Sequence, residues 1–119
     1  MENKPEFLDS VICKIGNRIA EKISSSNKSE IDKALGVLSN DGVYAYYVYV
    51  KSKGMNEIFI NEIVELMKYT DIKLKKNSSY ENYFVNLSGN LNDLLFFKEM
   101  LEETLIYARY HAKARDKNE

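Results

Sequence analysis

Few residues of this chain belong to the types that carry out catalysis or bind metal ions. His111 is the only histidine and Cys13 is the only cysteine. One imidazole and one thiolate cannot supply the four ligands of a zinc site. The carboxylates Glu99, Glu102 and Glu103 follow each other closely, in a pattern typical of a solvated helix face. The sequence therefore predicts no metal site and no cofactor.

The sequence also offers no convincing set of residues for nucleophilic or acid–base catalysis. His111 is the only imidazole base, and Arg109 lies two positions before it. Residues two positions apart point about 200° from each other on a helix, so these two do not form the Arg–His pair of a helical ribonuclease. Neither G-x-G-x-x-G nor G-x-x-x-x-G-K-[ST], the glycine-rich phosphate loops, is present. We therefore expect no catalytic residue and no enzyme.

Basic side chains remain as candidates for binding nucleic acid. The chain has 17 Lys+Arg against 18 Asp+Glu, so no global positive field attracts a polyanion. Two local clusters could still neutralise phosphates, or could equally serve as a soluble surface and complement a helix dipole. The predicted phosphate contacts are Lys73, Lys75 and Lys76 in the first cluster and Arg109, Lys113 and Arg115 in the second. Lys51 and Lys53 form a third, weaker patch.

Hydrophobic spacing predicts the helices that carry these residues. Apolar residues recur every three or four positions over about 5–23, with Pro5 in the first turn. Asn27 and Glu30 have the spacing of a capping box and predict a second helix. A fourth helix is expected over about 57–69, and a last helix from about 91 to 113 or slightly beyond, starting at Asn90 with Asp93.

The residue types of the segment Asn40–Gly54, "NDGVYAYYVYVKSKG", favour a strand, but the residues at its two ends favour a helix. Asp41 suits a helix N-cap and Gly54 suits a C-terminal stop. The intervening length is normal for a helix and long for a strand. On a helix the four tyrosines radiate in several directions, which favours packing in the core over a platform for stacking bases.

The segment Asp71–Gly89, "DIKLKKNSSYENYFVNLSG", predicts a β-hairpin. Ile72 and Leu74 alternate with Lys73 and Lys75, and "NSS" reads as a turn before a second strand rich in aromatic and branched residues. The expected fold is mainly α: one domain over 1–119, a compact five-helix bundle with a hairpin inserted at about 71–88, before the last helix.

The compartment is expected to be the cytoplasm. No apolar run approaches the roughly 20 residues of a membrane span, and "MENKPEFLDS" lacks the basic and apolar regions of a signal peptide. A single cysteine cannot form an intramolecular disulfide and fits a reducing environment. No membrane partner is therefore expected.

Two stretches of the chain resemble a known family. "ALGVLSNDGVYAYYVYVKSKG" (Ala34–Gly54) and "LNDLLFFKEMLEETLIYARYHAKA" (Leu91–Ala114) look like the small subunit of archaeal type I-A CRISPR Cascade complexes. The small subunit of the type III-B effector, with its "LSNG"-like turn between helices, is similar as well. The resemblance implies a helical, non-catalytic protein with a small β element. It also implies assembly with a Cascade backbone subunit and crRNA, and help in holding the guide–target duplex or the displaced strand of target DNA.

Two hypotheses follow from the sequence. The first is a non-catalytic subunit of a crRNA-guided interference complex in antiviral defence, with possible self-association. The second is a stand-alone helical protein that binds nucleic acid directly or acts as a regulator. Stoichiometric recovery with a Cascade backbone subunit and crRNA would distinguish the first from the second.

Overall fold

A computed structural model of the chain describes residues 7–117, with side chains through residue 115. Within this range the chain forms six α-helices and two 3₁₀ helices, and no strand. The α-helices are α1 (Leu8–Lys22), α2 (Ser29–Asp41), α3 (Val43–Ser52), α4 (Asn56–Phe59), α5 (Tyr80–Ser88) and α6 (Leu91–Lys117). The 3₁₀ helices span Ser25–Asn27 and Asn61–Tyr69. The mainly α prediction is confirmed, and the prediction of five helices with a hairpin is wrong.

The predicted hairpin at about 71–88 is instead a loop followed by a helix. In the loop, Ile72 and Leu74 are half-buried while Lys73 and Lys75 are exposed, so the alternation is real but has no partner strand. The second half becomes α5 because the Ser79 hydroxyl oxygen accepts a hydrogen bond from the Asn82 backbone N–H at 3.1 Å. Helical spacing then buries Tyr83, Phe84 and Leu87 together on one face.

The tyrosine-rich segment is a helix, as predicted, but its start differs. Asp41 ends α2 and does not cap α3, because Gly42, with φ 99°, turns the chain between the two helices. Gly54, with φ 68°, follows α3 as expected. Tyr46 is fully buried and its hydroxyl donates to the Phe59 carbonyl oxygen at 2.6 Å. One face of this helix is therefore core, since Val43, Tyr46, Tyr47 and Val50 are buried, and Tyr44 and Val48 lie on its exposed side.

The other helix boundaries shift by small amounts. The predicted start at Pro5 lies outside the described residues. Asn27 lies in the first 3₁₀ helix and does not cap α2, whose first residue is Ser29. The predicted fourth helix is divided between α4 and the second 3₁₀ helix. Asn90 does begin the last helix, because its side-chain oxygen accepts from the Asp93 N–H at 3.1 Å.

α6 is the central packing element and contacts α1, α2, α3 and α5 along its length. Its Phe97 meets Tyr83 and Phe84 of α5 edge to face, with ring centroids 6.1 and 5.9 Å apart. Phe84 also stacks on Tyr47 of α3 at 5.0 Å. This aromatic cluster fixes α5 against α3 and α6, and so sets the position of the loop before α5. No helix in the described range is both long and apolar enough to pass through a membrane.

Candidate nucleic-acid interface

Three lysines from two separate segments line one open depression, which we call the basic groove. Lys51 comes from the last turn of α3, and Lys75 and Lys76 come from the loop before α5. The remaining lining residues are polar or aromatic for the most part: Tyr47, Asn56, Leu74, Ser78, Ser79 and Tyr80. The volume of the depression is about 550 Å³. The groove thus combines cations, hydroxyl groups and aromatic rings on one concave surface.

The loop is held in place by a buried threonine. The Thr70 hydroxyl lies 2.7 Å from the Tyr83 hydroxyl and within hydrogen-bonding distance of the carbonyl oxygens of Met67 and Ile72. Ile72 and Leu74 then pack against the core. Lys75, the residue after Leu74, is exposed and points away from the core. The local sequence therefore directs the lysine into solvent beside α3.

The start of α5 adds to the positive potential of the groove. Ser79, the N-cap of α5, and Tyr80, its first residue, both line the depression. Unpaired backbone N–H groups and the helix dipole make the N-terminus of a helix favourable for anions. The three lysines also raise the positive potential of the groove and favour the binding of anions. The arrangement can bind one or more phosphate groups.

No opposing charge neutralises the groove in the part of the chain that is described. None of its lining residues is an aspartate or a glutamate. Lys75 and Lys76 are exposed and their ammonium groups form no hydrogen bond or ion pair there, and the Lys51 ammonium lies 5.7 Å from the centre of the Tyr47 ring. Glu81, in the first turn of α5, accepts a long hydrogen bond of 3.4 Å from the Tyr44 hydroxyl. The lysines are consequently available to an external anion.

Lys73, predicted with Lys75 and Lys76, lies outside the basic groove. Its ammonium donates to the Thr70 carbonyl oxygen at 3.4 Å. It lines a neighbouring open depression that also contains Asp71. Lys75 lies on the border and lines both depressions. The structure therefore brings Lys75 and Lys76 together with Lys51, which the sequence ranks lower, and separates Lys73 from them.

The C-terminal cluster is largely engaged with the rest of the protein. Arg109 pairs with Asp32 of α2 at 3.4 Å, although its Nε is buried without a hydrogen-bond partner. Arg115 donates to the Asn17 side-chain oxygen at 2.9 Å and lies 3.5 Å from Glu21. Lys113 is exposed and lines a depression of about 210 Å³ that contains Asp32. These arginines tie α6 to α1 and α2, and their contact with phosphate stays a prediction.

Potential metal ligands are scattered over the described residues. Among them, no group of three or more His, Cys, Asp or Glu side chains could hold a metal ion. Cys13 is a free, half-buried thiol on α1, and His111 is half-buried on α6. Neither residue lines the basic groove.

Sequence reasoning missed the contribution of Ser79 and Tyr80 because it assigned Ser79 to a turn and Tyr80 to a strand. One local signal could have found them. Ser78 and Glu81 have the S-x-x-E spacing of a capping box, displaced by one residue from the actual N-cap, Ser79. The approach of Lys51 to the loop depends on packing between distant segments and leaves no such signal.

Comparisons of the chain with protein-family models, with curated proteins and with solved structures found no match.

Proposed function

We propose that this protein is a non-catalytic subunit of a crRNA-guided interference complex and that its basic groove contacts the phosphate backbone of bound nucleic acid. The observation that carries the proposal is the groove itself, where Lys51, Lys75 and Lys76 converge at the N-terminus of α5 with no carboxylate among the lining residues. The resemblance of Ala34–Gly54 and Leu91–Ala114 to type I-A small subunits supplies the biological setting.

The size and charge of the groove suit such a supporting role. Three lysines on a protein of net charge −1 give modest, sequence-independent affinity. In a guided complex the sequence is read by base pairing, while the proteins hold the backbones. Attachment to a large assembly raises the effective concentration of a weak site, so that modest affinity becomes useful.

Co-purification tests the assembly part of the proposal. The tagged chain is expressed with a type I-A backbone subunit and crRNA, and the recovered complex is analysed by mass. We expect a stoichiometric complex that contains crRNA. Recovery of the chain alone, together with direct binding of nucleic acid, would support the second hypothesis, a stand-alone binding or regulatory protein.

Charge reversal tests the groove. We expect the double variant Lys75→Glu, Lys76→Glu to lower retention of target DNA by the assembled complex about tenfold or more, because two phosphate contacts become repulsive. The matched control is Lys33→Glu, Lys68→Glu, which changes the net charge equally. Both control lysines are exposed and form surface ion pairs at 3.8 Å, and the Lys68 ammonium also lies 5.6 Å from the centre of the Tyr69 ring; such exposed ion pairs contribute little to stability. Equal loss of retention in the two variants would contradict the assignment of the groove.

A further inference from the structure

The basic groove contains one aromatic side chain, Tyr80, that has neither a ring partner nor a cation over its face in the described part of the chain. Tyr80 is half-buried, packs its inner side against the core and lines the groove beside Lys75 and Lys76. Within the described residues its side chain takes part in no ring–ring contact, no cation–π contact and no hydrogen bond. The adjacent Leu74 extends the apolar surface.

The second ring of the groove differs in this respect. Tyr47 is only 5% exposed, stacks on Phe84 at 5.0 Å and has the Lys51 ammonium 5.7 Å from its centre. Its ring is therefore already occupied by the protein. Tyr80 is the ring of the groove that remains for a ligand.

A stacking surface next to phosphate-binding lysines distinguishes between forms of nucleic acid. In a duplex the bases stack on each other, and only their edges are accessible in the grooves. A base can lie against a tyrosine ring only when it is unpaired, and aromatic side chains beside a cationic groove are the usual means of holding single strands. Binding of the phosphate backbone alone would require only the lysines.

We infer that the basic groove binds single-stranded nucleic acid, with one unpaired base stacked on Tyr80 and the adjacent phosphates on Lys75, Lys76 and the N-terminus of α5. This inference rests on the proposed function and adds to it the class of ligand. Tyr80 specifies the unpaired strand, and the lysines supply affinity that is independent of sequence.

The test is fluorescence anisotropy with the full chain and two probes, labelled dT20 and the same strand annealed to dA20. We expect the wild type to prefer dT20. Tyr80→Leu keeps an apolar side chain against the core but removes the ring, and should weaken dT20 binding between about 5-fold and 100-fold, with duplex binding unchanged. Tyr80→Phe should retain the affinity. The matched control is Tyr107→Leu, at an exposed tyrosine of α6 outside the groove. This substitution should change neither the affinity for dT20 nor the affinity for the duplex.

A second measurement does not depend on a variant. Irradiation of the wild type with a dT20 probe that carries 5-iodouracil should give an adduct that peptide mass spectrometry locates at Tyr80. Equal affinity for single strand and duplex, unchanged binding by Tyr80→Leu, or an adduct elsewhere would overturn the inference while leaving backbone contact by the lysines in place. Failure of the wild type to bind either probe would overturn both this inference and phosphate contact by the groove, whereas the assembly role is decided separately by the co-purification.

Discussion

The ionisation of Glu62 is coupled to the packing of the second 3₁₀ helix against α1. Glu62 lies in the second 3₁₀ helix with its side chain 13% exposed. One of its oxygens accepts from the Arg18 Nε at 2.8 Å, and the other lies 2.8 Å from the Lys22 ammonium. Burial opposes ionisation, but the hydrogen bonds and charges of Lys22 and Arg18 outweigh it, and the pKa of Glu62 lies below its ordinary value of 4.5.

The lowered pKa predicts an acid-dependent contribution to stability. A carboxylate with a lowered pKa in the folded state stabilises it fully above the unfolded pKa, near 4.5, and loses this contribution as the pH falls through the folded pKa. We expect Glu62→Gln to lower the free energy of unfolding by about 1 kcal/mol at pH 7, since its cationic partners are partly solvated. The deficit should shrink at pH 3, measured by urea denaturation. Glu103→Gln, at an exposed position, is the control, and an equal deficit at both pH values would contradict the prediction.

At the scale of elements, long helices could be predicted from the sequence and the region 71–88 could not. Repeating apolar positions identify α1 and α6, because a full helix offers several turns of the pattern. The loop before α5 alternates only through Ile72 and Leu74, which extended backbone gives with or without a partner strand. The helix after it is short, and its aromatic residues resemble a strand until tertiary packing buries Tyr83, Phe84 and Leu87 together. The sequence places Lys75 and Lys76 next to each other, whereas Lys51 and Tyr80 join them in the groove only through packing.

The contact between α1 and α6 depends on a glycine. A Cβ atom at Gly16 would lie 2.9 Å from the Tyr107 Cβ, 3.0 Å from the Thr104 carbonyl oxygen and 3.1 Å from the Ala108 nitrogen. Two of these atoms belong to the backbone, so the two helices would have to separate. We expect Gly16→Ala to destabilise the protein by about 1–3 kcal/mol, measured by urea denaturation followed by circular dichroism.

Gly36 provides the matched control for this substitution. It lies inside α2, and a Cβ atom there would meet nothing within 4 Å. Gly36→Ala should therefore stabilise the protein by about 0.5–1 kcal/mol, because alanine favours the helix. Loss of stability in Gly36→Ala would contradict the helix-propensity argument, and no loss in Gly16→Ala would contradict the close approach of α1 and α6 as the constraint on that position.

At the scale of the whole molecule, charge is balanced and the groove is a local exception. The net charge is −1, and both arginines of the C-terminal cluster are paired within the fold. Long-range attraction of a polyanion is therefore weak, and binding should depend on the few cations that touch phosphates. The number of these contacts can be measured from the dependence of affinity on salt.

For single strands the logarithm of the binding constant falls by about 0.7 per phosphate contact for each unit of log salt concentration. Contacts from Lys51, Lys75 and Lys76 alone therefore predict a slope of about −2 for dT20. Lys76→Gln should reduce the steepness by about 0.7, and Lys113→Gln should leave it unchanged. A slope steeper than about −4, reduced by Lys113→Gln, would mean that the C-terminal cluster also releases its intramolecular partners to bind the backbone. The measurement thus distinguishes binding of the strand by the basic groove alone from binding along a path that continues across α6.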